Sequence, residues 1–334
     1  MFSAELTDFI SSTLGQTHWR SSSLPQGANN QGHKLFSDNN AYFLKCFAPG
    51  ARAFDKLYNE FQFSQQLHKA GISNIARPIG YCSNTLSAIY EFIDGHTFDT
   101  VTAQDVSAAC NFIAAINSHQ VERTALNAAA DSPAKLEDFI QLVTRRLSRF
   151  ESLRDNVELN TLLTAIELRT RVISTTPGID WQQPCPKDVV SPSDFGFHNA
   201  LKYRDDVYFI DFEYAGNDSA WKLLCDFFAQ PAVPVPLSYL PLFLRSPLFA
   251  AQASAGNTLK CVFELTLLKW CLIMLNEFLP DVQARRLFSW NISCLEERNA
   301  KLQHMQAQQL DKSQRYFAQI NVKMHTLQTQ LRDN

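Results

Sequence analysis

The spacing of apolar residues divides this 334-residue chain into two parts. In the first part, short apolar runs are separated by polar turns, which predicts antiparallel strands joined by hairpins. From residue 102 onward, apolar residues recur every three or four positions, as in helices with one buried face. We therefore predict an α+β protein with a small antiparallel sheet in residues 1–94 and a larger, mainly helical part in residues 95–334.

Helix ends are predicted from capping residues. Thr102 and Asp105 have the spacing of a capping box, and Ser132 followed by Pro133 predicts the start of another helix. The predicted strands cover residues 34–36, 41–47 and 86–92, and the further predicted helices cover residues 2–14, 55–70, 155–174, 257–279 and 281–300.

The most apolar run, residues 261–279, is interrupted by Glu264, Lys269, Asn276 and Glu277. Charges at such intervals favour a buried core helix over a membrane span. The N-terminal stretch contains acids and no basic segment, which is not typical of a signal peptide. The eight cysteines include no CxxC pair, as expected for buried thiols of a reducing compartment. We therefore expect a cytoplasmic protein without a membrane span.

The C-terminal tail carries a regular apolar stripe with spacings of three and four residues. Its members are Phe317, Ile320, Met324, Leu327 and Leu331. Two interpretations stay open, a homodimer contact through this helix and docking of the helix on its own chain. The net charge of −3 gives no electrostatic footprint for nucleic acid.

The candidate chemistry is concentrated between Ser191 and Gly216. Asp194 is followed five residues later by Asn199, and an apolar strand then ends in Asp211. Each residue alone could be an ordinary cap or turn residue. Together they offer a carboxylate for an acceptor hydroxyl, and an amide oxygen and a second carboxylate for Mg²⁺ beside nucleotide phosphates.

Lys45 and Glu60 could complete such a site. Strand alternation places Lys45 on the same face as Phe43 and Phe47, so it either lies at an edge or points into a site. Glu60 lies in the middle of the following helix, where it is either a solvated charge or the partner of Lys45.

Two other segments could contact a nucleotide. Small residues in the loop 27–32, including Gly27, Asn29 and Gly32, would let backbone N–H groups approach phosphates, although such a loop is more often a simple turn. The strand with Glu91 leads into a polar connection that resembles the hinge between kinase lobes, and this resemblance implies that backbone groups bind adenine there.

This ordered set resembles the aminoglycoside phosphotransferase and choline kinase superfamily, and IDFEYAG (210–216) is especially similar to choline and ethanolamine kinases. The resemblance covers nearly the whole chain. It implies a protein-kinase-like two-lobe fold that binds ATP and Mg²⁺, with an N-terminal lobe at 1–94 and a C-terminal lobe at 95–334. It also implies that Asp194 is the catalytic base, Asn199 and Asp211 bind Mg²⁺, and Lys45, paired with Glu60, contacts ATP. Asp226 would brace the catalytic loop.

The chain departs from the family motif at two positions, Pro192 in place of His and Ser193 in place of Gly. The resemblance therefore implies a kinase that phosphorylates a small-molecule hydroxyl, such as a sugar, amino alcohol or aminoglycoside, with an ATP-binding pseudokinase as the alternative. An interaction protein without nucleotide is a third hypothesis.

A cationic acceptor would require acidic or aromatic residues to converge. The candidates are Glu213, Glu264, Glu277, Asp281, Glu296, Glu297, Trp221, Trp270 and Trp290.

Overall fold

A computed structural model describes residues 2–24, 30–37, 40–118, 120–290, 292 and 294–332. The N-terminal lobe contains a five-stranded antiparallel sheet in the order β1-β2-β3-β5-β4. Its elements are α1 (Ala4–Leu14), β1 (Arg20–Ser23), β2 (Gln31–Ser37), β3 (Asn40–Cys46), α2 (Ala53–Lys69), β4 (Pro78–Cys82) and β5 (Ser87–Glu91).

The two faces of this sheet pack against different helices. On one face, Leu44 of β3 is fully buried in a cluster with Leu6 and Ile10 of α1. On the other face, a second cluster joins Phe47 to Leu57 of α2. Lys45 follows Leu44, so strand alternation turns its side chain toward the α2 face. The sheet and its helices confirm the predicted fold class.

The C-terminal lobe is mainly helical. Its helices are α3 (Ala103–Ile116), α4 (Glu137–Ser148), α5 (Val157–Ser174), α6 (Ala220–Ala229), α7 (Leu240–Leu244), α8 (Ala250–Ser254), α9 (Gly256–Met274), α10 (Pro280–Trp290), α11 (Leu295–Ala318) and α12 (Ile320–Arg332). Two antiparallel pairs of short strands complete it, β6 (Val189–Ser191) with β9 (Gly216–Asp218) and β7 (Ala200–Tyr203) with β8 (Asp206–Phe209).

Helix α9 lies in the core of this lobe, where Leu267, Leu268 and Leu272 are fully buried. It covers most of the apolar run that predicted a core helix. Among the described residues, no helix has both the length and the apolar character needed to cross a bilayer.

One predicted helix start is wrong. Helix α4 begins at Glu137, not at Ser132 and Pro133. Residues 134–136 instead run beside residues 183–185, where the Leu136 N–H donates to the Gln183 carbonyl at 3.1 Å. Backbone pairing with a distant segment therefore extends the chain past the predicted cap.

The C-terminal stripe packs within its own chain. Ile320 and Leu327 are buried in the core of the C-terminal lobe, and Phe317, Met324 and Leu331 pack against it. The Ser313 hydroxyl of α11 also donates to the Cys271 carbonyl of α9 at 2.9 Å. This arrangement agrees with docking of the helix on its own chain. The apolar stripe on which the homodimer interpretation was based is covered by that docking.

The predicted boundary at residues 94 and 95 lies in the connection between β5 and α3. The predicted capping box at the start of α3 is present, with Thr102 and Asp105 bonded reciprocally. Asp105 is buried and also accepts a hydrogen bond from Lys202 of β7 at 2.7 Å. Burial opposes the charge, but the hydrogen bonds from Lys202 and Thr102 lower the pKa of Asp105 below its ordinary 3.8.

We expect Asp105→Ala to lower the free energy of unfolding by about 2 kcal/mol, because it removes the cap and leaves Lys202 without its partner. A lowered pKa in the folded state stabilises above the unfolded value, so this contribution should decline as the pH falls below about 3.8. Chemical denaturation at pH 7 and pH 3 measures both effects. Replacing the exposed Asp99 with Ala is the control, and equal stability of the two variants at pH 7 would contradict the prediction.

Candidate functional site

The loop between β6 and β7 carries Asp194. Its neighbours Phe195 and Phe197 are buried, and the ring of Phe195 lies 5.0 Å from Phe209 of β8 and 4.9 Å from Phe227 of α6. These aromatic contacts anchor the loop to the core directly after the acidic residue. The Asp194 side chain stays 38% exposed and available to a ligand.

Two neighbours hold the Asp194 carboxylate. Nε2 of His198 lies 3.1 Å from Oδ1, and the Asn199 amide donates to Oδ2 at 3.2 Å. Burial alone would raise the pKa of Asp194, but the hydrogen bonds with His198 and Asn199 and the charge of Lys269 lower the pKa below its ordinary value. Asp194 is therefore an ionised, oriented hydrogen-bond acceptor at neutral pH.

A second cluster connects the two lobes through Lys45. Its Nζ lies 2.6 Å from Oε2 of Glu60 and 2.8 Å from Oδ1 of Asp211. Burial opposes the charge of the ammonium group, but the carboxylates of Asp211 and Glu60 raise the pKa of Lys45. The pairing of strand Lys and helix Glu considered from the sequence is present, and Asp211 joins it after β8.

Glu213 brings a third carboxylate to this cluster. One oxygen each from Glu60, Asp211 and Glu213 lie within 4.8 Å of one another. Lys56 holds Glu213 at 2.9 Å. Burial raises the pKa of Glu60 to about 7 and also raises the pKa of Asp211, although the positive charge of Lys45 opposes both shifts. Further positive charge would stabilise the ionised forms, and a hard cation with oxygen ligands suits such a donor set.

Asp226, predicted to brace the loop that carries Asp194, reaches that loop only through Lys222. Lys222, buried in α6, donates to the Ser193 hydroxyl at 2.8 Å and to Asp218 at 3.0 Å. Asp226 lies 3.6 Å from Lys222 and also pairs with Lys269 of α9. Ser193 adopts a left-handed φ of 69°, and the hydrogen bond from the buried Lys222 holds its side chain in place.

The other predicted nucleotide contacts lie at the sheet. Gly32 of β2 is the register partner of Lys45, and a Cβ built on it would lie 3.0 Å from Phe43. Glu91 ends β5 with an exposed side chain, and its N–H already donates to the Arg77 carbonyl at 2.8 Å. Gly27 and Asn29 lie outside the described residues. All four stay predictions as nucleotide contacts.

A cavity of about 1160 Å³ opens beside Asp194. Its walls come from the residues that lead into α2 and from α4, α9 and α10, and they include Trp270. It is large enough for a sugar-sized molecule, and Asp194 lies on its wall.

Sequence reasoning missed His198, Lys222 and Lys56. His198 carried a signal, because it lies four residues after Asp194 and directly before Asn199. The two lysines carried none, since their roles depend on tertiary contacts with Ser193 and Glu213.

Solved structures with a similar fold include a spectinomycin phosphotransferase bound to ADP and spectinomycin, with 12% identity, a TM-score of 0.57, and coverage of 95% of this chain and 98% of that chain. A choline kinase from Cryptosporidium parvum Iowa II has 12% identity, a TM-score of 0.57, and coverage of 98% and 99%. APH(2″)-IIa bound to gentamicin has 13% identity, a TM-score of 0.58, and coverage of 94% and 96%. At these identities the likeness concerns the fold alone.

A search of curated proteins gives no match to this sequence. The model of the phosphotransferase enzyme family, APH, matches residues 22–222, which is more than half of the chain and includes Lys45, Asp194 and Asp211. The protein-kinase-like fold agrees with that match. The chain therefore belongs to the APH phosphotransferase enzyme family.

Proposed function

We propose that this protein transfers the γ-phosphate of ATP to a hydroxyl group of a small molecule. The observation that supports this most directly is that one stretch of chain supplies both parts of the site. Asp194 lies on the wall of the cavity, and Asp211 joins Lys45 and Glu60 in the second cluster. The Lys45 cluster thus offers groups for a nucleotide, and Asp194 offers a carboxylate to an acceptor.

In this mechanism Asp194 accepts a hydrogen bond from the acceptor hydroxyl and orients its oxygen toward the γ-phosphorus. The new oxygen–phosphorus bond forms as the bond to the leaving ADP oxygen breaks, and the hydroxyl proton passes to Asp194. Lys45 donates to phosphate oxygens and offsets their negative charge. Glu60 keeps Lys45 in position through the hydrogen bond of 2.6 Å.

Asp211 and Asn199 would hold Mg²⁺, which when bound supplies positive charge to the phosphate oxygens. The Asn199 amide nitrogen donates to Asp194, which leaves its amide oxygen as the ligand atom. Glu213 lies close enough to Asp211 to contribute a further oxygen.

The pseudokinase alternative was based on Pro192 and Ser193. The contacts of this loop favour an active enzyme instead, because Lys222 supports Ser193 and His198 orients Asp194. The missing family His removes no group that reacts, and the loop has other supports.

Asp194→Ala should lower acceptor-dependent turnover about 1000-fold, since it removes the group that receives the hydroxyl proton. Release of ADP with Mg-ATP and a panel of sugars, amino alcohols and aminoglycosides measures this effect. Asp205→Ala, in the exposed turn between β7 and β8, is the matched control. Retention of wild-type turnover in the Asp194 variant would overturn its assignment as the base.

Lys45→Met should lower kcat/KM for Mg-ATP about 100-fold, because it removes a donor to the phosphates and leaves Glu60 and Asp211 without their ammonium partner. The rise in melting temperature caused by Mg-ATP should shrink as well. Lys69→Met, at the exposed end of α2, provides the comparison. If wild-type protein shows no thermal shift with Mg-ATP, the nucleotide hypothesis fails.

His198→Leu should lower kcat 10- to 100-fold (about the effect of losing orientation) while KM changes less, because the carboxylate of Asp194 loses one of its two supports. His198→Gln keeps a donor and should recover part of the rate. Steady-state kinetics of both variants test this positioning role. Equal kcat values for the two variants would argue against it.

A further inference from the structure

The cavity beside Asp194 has an excess of positive charge. Nine Lys and Arg residues line it, against five Asp and Glu residues, and two of the nine, Lys56 and Lys222, pair with Glu213 and Asp218 outside the lining. The chain as a whole has a net charge of −3, so this excess is local. Charge of one sign in a cavity attracts ligands of the opposite sign.

The cavity's carboxylates are already paired, apart from the one assigned to catalysis. Asp281 of α10 lies 2.9 Å from Arg149 and 3.2 Å from Arg285. Asp131 pairs with Arg146, Asp226 with Lys269, and Glu277 with Arg286. Among the described carboxylates that line the cavity, Asp194 is then the one without an ion pair to Lys or Arg.

The acidic residues considered for a cationic acceptor therefore do not form a cation site. Glu277 and Asp281 are neutralised within the cavity, Glu264 pairs with Arg169, and Glu213 pairs with Lys56. Glu296 and Glu297 are exposed on α11. An ammonium group on the acceptor would have to displace one of these basic partners.

Several donor groups of the lining residues have no protein partner among the described residues. Arg145 is exposed on α4 and has no ion pair with a described residue. It lies one helical turn from Arg149, so the two side chains share a face. Nε of Arg146, Nε of Arg285 and the indole nitrogen of Trp270 are buried without a hydrogen-bond partner in the described part of the chain.

Guanidinium groups match carboxylate and phosphate oxygens, because their N–H donors form a planar fork. Unpaired donors in a cavity indicate a ligand rich in acceptor oxygens. Helix α4 and helix α10 present these arginines on two walls, while Asp194 lies on a third. A single small molecule could contact the arginines with one end and Asp194 with a hydroxyl at the other.

We propose that the phosphate acceptor is an anionic polyhydroxyl compound, a sugar acid or a sugar phosphate, whose carboxylate or phosphate is bound by Arg145, Arg149 and Arg285. This rests on the proposed function, since it assigns the acceptor class of the same site. The basic wall serves acceptor recognition, and Asp194 receives the hydroxyl proton.

A matched set of hexoses tests the acceptor class. The probes are glucose, glucuronate, glucose 6-phosphate and glucosamine, each measured by ADP release with Mg-ATP and by calorimetric binding without nucleotide. We expect at least one anionic sugar to bind about tenfold or more tightly than glucose and glucosamine. Preference for glucuronate or for glucose 6-phosphate distinguishes a carboxylate site from a phosphate site.

Variants of α4 connect the preference to the arginines. Arg145→Ala and Arg149→Ala should each weaken binding of the preferred anion about tenfold and raise KM more than they lower kcat. Arg145→Glu should weaken it further and improve glucosamine binding. Arg171→Ala is the control, since Arg171 is exposed on α5 and pairs with Glu167 away from the cavity.

The proposal would be overturned if glucose or glucosamine bound as tightly as both anionic sugars, or if none of the four sugars bound measurably. Unchanged anion binding in both alanine variants would overturn it as well. Failure of the proposed function gives a different result. In that case Mg-ATP produces no thermal shift and no ADP release, while calorimetry still reports on the anion site.

Discussion

The buried ammonium group of Lys45 is the constraint on which the arrangement of the two lobes depends. It reaches Glu60 within its own lobe and Asp211 in the other, at 2.6 and 2.8 Å. Removing a charge from water is costly, so each of these groups requires the others to stay in place. Since the three carboxylates outnumber Lys45 and Lys56, the cluster remains short of positive charge. The same contacts that join the lobes thus leave a site suited to a cation beside phosphates.

The loop that carries Asp194 also depends on buried charge, but here the lysines and the carboxylates are equal in number. Lys222 and Lys269 lie beneath it, with Asp218 and Asp226 as their partners. Burial lowers the pKa of Lys269, whereas the charges of Asp218 and Asp226 outweigh burial and raise the pKa of Lys222. This network supports Ser193, and Phe195 and Phe197 anchor the loop in the aromatic core. The position of Asp194 is therefore set by the packing of Phe195 and Phe197 and by the buried charges around Lys222.

Patterns of local spacing predicted much of this structure. Alternation in β3 correctly placed Lys45 and Leu44 on opposite faces of the sheet. The order of Asp194, Asn199 and Asp211 predicted one site, and Asn199 does donate to Asp194. The start of α4 could not be predicted in this way, because pairing with residues 183–185 overrides the capping signal at Ser132. The Lys222 brace was equally hidden, since it depends on which residues the fold brings beneath Ser193. Local patterns identify elements and motifs, whereas buried charge pairs arise only from tertiary packing.

The charges on the two sides of Asp194 differ in sign, and this bears on the chemistry. Carboxylates predominate around Lys45, where a nucleotide would bring its own cation, whereas arginines predominate in the cavity. A cavity built for an amine would need free carboxylates, yet Asp281 holds two arginines and Glu277 holds another. These acids instead fix the directions of the guanidinium groups, which reduces the entropy lost when an anion binds. Paired acids in this cavity therefore belong to an anion site, because they position its arginines.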